Sequence, residues 1–226
     1  MPTTPPNAAD LRARLAAGLS ALGPALDDPA VGRLLDYVAL LHRWNRAVNL
    51  TAVREPEEMV TRHLLDSLAI LPWVRGPGLL DAGTGPGLPG IPIAIARPDI
   101  AVTLLDSNGK KVRFCRQAVT ELALANVTVV QARVEAFHPA ALPATVTARA
   151  VADLPALVSA TRHLLAGGAH LLAMKGIVPD VEVARVQAQG YVVVVHRLEV
   201  PGVAGERHLI EVHDAASIAA RCAPYG

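Results

Sequence analysis

Apolar and polar positions change rhythm once along this chain, near residue 76. Before that point the spacing is helical. Val31, Leu34, Leu35, Val38 and Leu41 mark one apolar face. Asp28 followed by Pro29 reads as the start of that helix, because a carboxylate caps free N–H groups and a proline loses no hydrogen bond in a first turn. A second helix is expected over Glu55–Leu71, with Pro56 and two acids at its start. Between the two, Trp44–Thr51 is rich in polar residues and reads as a loop. From Gly78 onward, apolar runs of strand length alternate with helical segments. Strands are expected at Gly78–Ala82, Val102–Asp106, Val127–Ala132, Val146–Val151 and Ala169–Met174. Helices are expected near Ile91–Ala96, Gly109–Leu124, Leu154–Leu165 and Asp180–Gln189. Two late runs, Tyr191–Leu198 and His208–His213, follow each other through Pro201-Gly202 and read as a closing hairpin that adds an antiparallel strand. This alternation predicts an α/β, Rossmann-like fold: a mostly parallel sheet with helices on both faces. The expected divisions are a flexible N-terminus over 1–10, a small helical extension over 11–75 and the α/β domain over 76–226.

In such sheets a ligand lies beyond the carboxyl ends of the strands, where the strand order reverses. The first strand ends in Asp81-Ala82-Gly83-Thr84-Gly85-Pro86-Gly87-Leu88-Pro89-Gly90. Glycines let the backbone bend sharply and let a ligand touch it. A dinucleotide loop would need a third glycine at position 88, where Leu88 stands. D-x-G-x-G-x-G instead resembles the loop of S-adenosylmethionine-dependent methyltransferases, with Asp81 suited to a cationic amino-acid tail. A plain glycine-rich turn is the alternative.

The other strand ends carry candidates too. Asp106 closes the second strand, 23 residues after Gly83, near the roughly 20-residue offset of a carboxylate on ribose hydroxyls. It could equally cap the following helix. Val134 and Glu135 follow the third strand, on the turn that borders an adenine ring in this architecture; Glu135 also fits a solvated first turn. Arg149 sits in the apolar run Val146–Val151, where an unpaired charge costs several kcal/mol. It faces an anion or a base edge, or pairs with an acid. Lys175 closes the fifth strand in the same way. Lys110, Lys111, Arg113 and Arg116 form a basic cluster after the second strand, which suits phosphates or simply a solvated helix face.

Composition narrows the classes. Of 226 residues, 52% are hydrophobic and 18% charged, and the net charge is only +1. A global basic footprint for nucleic acid is therefore absent, and any RNA contact must use a local patch. Aromatics make up 3%, too few to stack a run of bases. Cys115 and Cys222 lie far apart without zinc-ligand spacing, so no metal site is expected and both thiols are expected to stay reduced. No apolar run reaches about 18 residues, so no membrane span is expected, and the N-terminus lacks a signal pattern.

Taken in order, these segments resemble a family: the bacterial small-subunit ribosomal RNA (guanine-N7) methyltransferases, also called glucose-inhibited division protein B. The resemblance rests on Trp44-Asn45-x-x-x-Asn49-Leu50-Thr51-Ala52-Val53-Arg54, His63-Leu64-Leu65-Asp66-Ser67 and the loop from Asp81 to Pro92. It continues through Leu105-Asp106-Ser107-x-x-Lys110-Lys111-Val112-Arg113-Phe114, Arg133-Val134-Glu135, Arg149-Ala150-Val151-Ala152, Lys175-Gly176 and Gly205-Glu206-Arg207-His208-Leu209. Val151 departs from it, standing where the family pattern has an aromatic. The resemblance implies a class I methyltransferase fold with a seven-stranded sheet, and methyl transfer from S-adenosylmethionine to guanine N7 in the 530 loop of 16S rRNA. It places the cofactor on Gly83, Leu88, Val134, Glu135 and Arg149, to which the readings of the loop and strand ends add Asp81, Gly85, Gly87 and Asp106. Arg149 and Lys175 become the catalytic candidates, Asn49, His63, Lys110, Lys111 and Arg113 the RNA contacts, and Asn49, His63 and Asp66 are expected to shape the mouth of the site. The partner implied is 16S rRNA or the small ribosomal subunit, for a cytoplasmic protein expected to be a monomer.

The chemistry agrees with what the sequence lacks. Guanine N7 has a free lone pair, so no proton leaves and no general base is required. No covalent adduct forms, so no nucleophilic cysteine is required either. Two other readings remain at this level: a methyltransferase acting on a protein or small molecule, and a non-enzymatic RNA-binding module.

Overall fold

The computed structural model describes residues 8–149 and 152–222. Helix α1 spans Ala8–Leu22 and α2 spans Asp28–Val48. A short α3 (Pro56–Met59) runs into a wide π-helical turn at Val60–Leu65 and then into α4 (Asp66–Leu68). From there, strands and helices alternate: β1 Gly78–Ala82, α5 Gly90–Ala96, β2 Ala101–Asp106, α6 Gly109–Glu121, β3 Val127–Gln131. Next come β4 Thr145–Arg149, α7 Leu154–Ala166, β5 His170–Lys175, α8 Asp180–Ala188, β6 Tyr191–Arg197, β7 His208–Asp214 and α9 Ala215–Cys222.

The seven strands form one sheet in the order β3-β2-β1-β4-β5-β7-β6. β1 pairs in parallel with β2 on one side and β4 on the other. The strand order reverses between them, which is where a crevice must open. β7 inserts antiparallel between β5 and β6, so the late hairpin takes the form its alternation suggests. β1, β4 and β5 are buried on both faces and carry near-continuous apolar runs, as central parallel strands do. One face packs against α1, α2, α5 and α6, the other against α7 and α8. The first of these cores runs without a break from Leu15 and Leu34 of the N-terminal helices to Leu104 and Phe114.

The departures from expectation lie in the N-terminal helices. The cap of α2 is Asp27, not Asp28; its side chain accepts from Ala30 N at 2.8 Å, and Asp28 occupies the first turn. The expected loop at Trp44–Thr51 is helical as far as Val48. Its polar residues serve the helix end and the turn beyond it. Asn49 adopts the left-handed conformation (φ 55°) and its N–H caps onto Asn45 O, a geometry asparagine tolerates. Buried Asn45 donates to Thr51 O and Val53 O, accepts from Thr51 N, and so shapes the next turn. The helix expected over Glu55–Leu71 is interrupted by the π turn and ends at Leu68. Of the expected flexible N-terminus, Ala8–Asp10 belong to α1, and residues 1–7 lie outside the described residues. Val151, and with it the end of the expected fourth strand, also lies outside them.

Helix α2 reaches the glycine-rich turn directly. The Tyr37 hydroxyl, fully buried, donates to Pro86 O at 2.8 Å. The Tyr37 ring packs against Phe114, which in turn meets Trp44 edge-on with centroids 5.6 Å apart. Tyr37→Phe would leave the Pro86 carbonyl buried and unpaired, at a cost of about 1–3 kcal/mol. The expected outcome is a lower thermal midpoint and a weaker hold on any ligand of the glycine turn, read by calorimetry; unchanged values of both would show that the hydroxyl contributes nothing.

Candidate active site

The glycine turn after β1 is held from below by two carboxylates. Asp81 is fully buried. One of its oxygens accepts from Gly90 N at 2.8 Å and from the Thr84 hydroxyl, the other from the Thr147 hydroxyl at 3.1 Å. Burial pushes its carboxyl up to about 6, although these three donors and nearby Arg149 pull it down. Asp81 therefore faces the loop: three internal donors occupy it, and it lines neither the cavity above the turn nor the one beside it. Asp106 accepts from Gly85 N at 2.9 Å and from Asn108 N at 2.8 Å. The cap of α6 is Asn108, whose side chain accepts from Lys110 N. The capping alternative for Asp106 is thereby excluded.

Above this turn lies a cavity of ≈ 400 Å³ walled by Gly83, Gly85, Leu88, Asp106, Lys111 and Arg149, with Leu50, Thr51 and Ser107 completing its rim. Gly85 has φ +60°, and a Cβ built on it would meet nothing within 4 Å. The open space at its backbone is the cradle that a ligand lying against the main chain requires. Gly87 serves packing instead, since a Cβ there would come within 2.3 Å of Ile91. Lys111 Nζ stands 3.8 Å from Asp106, so this lysine belongs to the glycine-turn cavity, whereas Lys110 and Arg113 are exposed on α6 away from it. Val134 and Glu135 fall on a 3₁₀ turn (Val134–Ala136) outside the cavity wall. Val134 packs toward the core on the α7 side and Glu135 is exposed.

A second cavity, of ≈ 380 Å³, opens beside the first, and Arg149 and Thr51 line both. Its wall is cationic: Arg62, Arg149, Lys175 and Arg207 face it, with Asp66 as the one carboxylate on its lining. Arg149 ends β4 and its Nη1 donates to Arg62 O at 3.1 Å and to Asp66 at 3.3 Å. This arginine thus pairs with an acid and stands at the open end of the sheet. Lys175 Nζ donates to Ala152 O at 3.0 Å. His63 is held by the Thr51 hydroxyl on Nε2 (2.9 Å) and Arg62 O on Nδ1 (3.0 Å). Burial and the neighbouring Arg149 push its pKa down to about 4, so the ring is a neutral wall of the second cavity. Asn49 lines neither cavity; its side chain accepts from Arg54 Nη2 at 2.6 Å and braces the turn.

Three residues of the cavity walls were not among the candidates: Thr51, Arg62 and Arg207. Asp66, expected at the mouth of the site, is the carboxylate on the second cavity's wall. Cys115 has no part in the chemistry of either cavity. It lies buried beneath the turn with Sγ 3.4 Å from Gly85 O, and burial pushes its thiol far up, so it is no nucleophile. Among the described residues no group of three His, Cys, Asp or Glu side chains is arranged to hold a metal, and no helix is long and apolar enough to cross a membrane.

Comparison with known proteins gives a consistent answer. A family model described as "rRNA small subunit methyltransferase G" matches residues 31–210. The chain is 53% identical over 204 residues to a protein named ribosomal RNA small subunit methyltransferase G from Xanthomonas campestris, covering 90% of this chain and 95% of that one. A protein of the same name from Stenotrophomonas maltophilia is 53% identical over 207 residues, covering 92% and 97%. Among solved structures, magnesium protoporphyrin IX methyltransferase from Synechocystis, with bound S-adenosylmethionine, superposes with a TM-score of 0.55 at 20% identity, over 84% of this chain and 98% of that one. Precorrin-6y C5,15-methyltransferase from Geobacter metallireducens gives 0.52 at 18%, over 74% and 91%. These two show the class I methyltransferase fold.

The Asp81 carboxylate predicts a pH signature. Its folded pKa lies above the value of about 4 for an exposed aspartate. Between about pH 4 and 6 the folded state binds more protons than the unfolded one, so this group's contribution to stability falls as pH rises through that window. Asp81→Asn keeps an acceptor for Gly90 and Thr84 and lacks this titration. Denaturant midpoints of native and Asp81→Asn protein, compared from pH 4 to 7, are expected to diverge in favour of the variant up to about 6 and then run parallel. A constant difference would mean that Asp81 ionises as it does in water.

Proposed function

The chain belongs to the rRNA small subunit methyltransferase G family, and we propose that it transfers the methyl group of S-adenosylmethionine to N7 of a guanosine in the 530 loop of 16S rRNA. The observation that carries this reading is the pair of cavities meeting at Arg149 and Thr51, one walled by the glycine turn and the other cationic.

The first cavity suits the cofactor. Asp106 offers carboxylate oxygens to ribose hydroxyls, Gly83 and Gly85 offer bare backbone, and Leu88 an apolar wall. When bound there, S-adenosylmethionine supplies an electrophilic methyl group on a sulfonium. The second cavity suits a nucleotide drawn out of its stack, at a cost of a few kcal/mol. Arg149 stands where the two meet, with a planar fork able to donate to base or phosphate acceptors. N7 attacks with its own lone pair, so the residues here have no proton to remove. Their task is alignment of nucleophile, methyl carbon and leaving sulfur. A neutral His63 and a carbonyl-bound Lys175 agree with this, since neither is set as a base. Lys175 serves as a fixed positive charge toward the phosphate. Lys110 and Arg113, exposed on α6, serve outer phosphate contacts; Asn49 acts only through the turn it braces. Val134 and Glu135 reach the adenine end only if the turn after β3 moves toward the cavity. A monomer in the cytoplasm, acting on 16S rRNA alone or in the small subunit, completes the reading.

The test is direct. Incubation with labelled S-adenosylmethionine and undermethylated small subunits should place label on a 530-loop guanine N7, and label found only on protein or small molecules would overturn the reading. Gly85→Val forces a branched side chain to φ +60°, a strain of about 1–2 kcal/mol, and fills the cradle. Calorimetry should show S-adenosylmethionine binding abolished with the sheet still folded. Arg149→Lys keeps the charge and loses the fork. It should fold normally and lose most methyl transfer, with a smaller loss of cofactor affinity; full turnover on small-subunit RNA would remove Arg149 from the reacting centre.

A further inference from the structure

Of the three buried aspartates near this site, Asp81 and Asp66 are treated very differently. Asp81 has hydrogen bonds from three groups. Asp66, only 6% exposed, has one hydrogen bond, from Arg149 Nη1 to Oδ2 at 3.3 Å. Its Oδ1 is buried without a hydrogen-bond partner, although Arg207 Nε lies 3.3 Å away. A carboxylate kept only to stabilise the fold is expected to be fully satisfied, as Asp81 is. Asp66 is instead shared loosely between two guanidiniums, at distances longer than the 2.7–2.9 Å usual for charge-assisted bonds.

We propose that Asp66 is a positioning residue for methyl transfer: its carboxylate holds the Arg149 and Arg207 guanidiniums together at the wall of the substrate cavity, as one cationic jaw for the target nucleotide. This role rests on the reading of the chain as an rRNA methyltransferase. The local chain is built for it. The π turn ends at Asp66, whose N–H is directed to His63 O and Thr61 O. Arg62 O is thereby left to accept from Arg149 and His63. Arg149 Nη1 therefore meets two acceptors from one turn, which fixes its direction. Arg207 arrives from the opposite side, in the segment entering β7. Four cations line this cavity against one carboxylate. Without Asp66, the two arginines would repel each other across a half-buried space where charges are poorly screened, and would splay. RNA would still be attracted, more strongly than before, but the reacting base would be held less well.

That reasoning gives a split which a purely structural role would not produce. Asp66→Asn is nearly isosteric and adds one net positive charge to the cavity. Expected are a kcat at least tenfold lower, a half-saturating RNA concentration unchanged or lower, a slope of log affinity against log salt steeper by about one, and cofactor affinity within threefold. Asp66→Glu restores the charge and should recover at least threefold of the lost kcat. A kcat for Asp66→Asn within threefold of the native enzyme overturns the proposal. So does a loss of kcat with an unchanged salt slope and no recovery by Glu, which is the mark of a structural defect. If Asp66→Asn does not fold, Arg207→Gln decides, because Arg207 lies on a partly exposed segment outside the core. A kcat loss of tenfold or more supports the jaw, and full activity overturns it. Where both single variants fold, the double variant should be no worse than the poorer single one. A native enzyme inactive on small-subunit RNA but active on another acceptor would instead overturn the functional reading beneath this role.

Discussion

A carboxylate without access to water, that of Asp81, organises the glycine turn. It sits near the end of β1, beside β4, where the order of the parallel strands reverses, and it gathers donors from the turn (Thr84), the start of α5 (Gly90) and the neighbouring strand (Thr147). A glycine-rich segment is costly to order because it has much freedom to lose. Asp81 offsets that cost by turning three separate polar groups into partners of one side chain. Asp106 does the same for Gly85 from the neighbouring strand. The turn is thus preorganised from beneath, and its upper side is left bare for a ligand.

The N-terminal helices complete this arrangement. Tyr37 of α2 reaches the turn through Pro86 O, and Asn45, two turns later, shapes the segment that carries Thr51 into both cavities. One helix therefore sets the glycine turn and a wall of the substrate cavity. The π turn adds a second link. A regular α-helix would return Arg62 O to its own ladder, whereas the wider turn leaves it to fix Arg149.

How much of this was legible in the sequence follows from periodicity. The strands from Gly78 to Lys175 lie within a residue or two of their apolar runs, because parallel strands buried on both faces leave an unmistakable signal. Asp106 and Arg149 were legible as charges at the ends of such runs. The π turn was not, because its residues Val60–Leu65 have the same composition as an ordinary helix. Nor was the helical state of Trp44–Val48: Asn45 and Asn49 carry the polar character of a loop, but they spend it on a cap and on main-chain groups of the following turn. The burial of Asp81 was not legible, for a related reason. A carboxylate beside a ligand loop looks like a ligand contact until its burial is known. Arg207 could not be paired with Asp66 at all, since 141 positions separate them and only the closure of β7 against β5 brings them together.

The charge distribution explains how a nearly neutral protein can handle RNA. A net charge of +1 gives little long-range steering, so discrimination must come at close range. The second cavity concentrates four cations around one carboxylate, in a space where water screens poorly and attraction to phosphate is correspondingly strong. The cavity at the glycine turn is nearer to balance, with Asp106 facing Lys111 at 3.8 Å and Arg149 at its edge. A polyanion beside arginines is matched in sign, and Arg149 stands on the boundary of the two cavities. In the proposed reaction, that boundary is also where positive charge would pass from sulfur to the base. A fixed guanidinium there would oppose the growing charge on guanine if it stood free. Paired with Asp66 and the Arg62 carbonyl, it can direct hydrogen bonds at the nucleotide while much of its charge is already balanced.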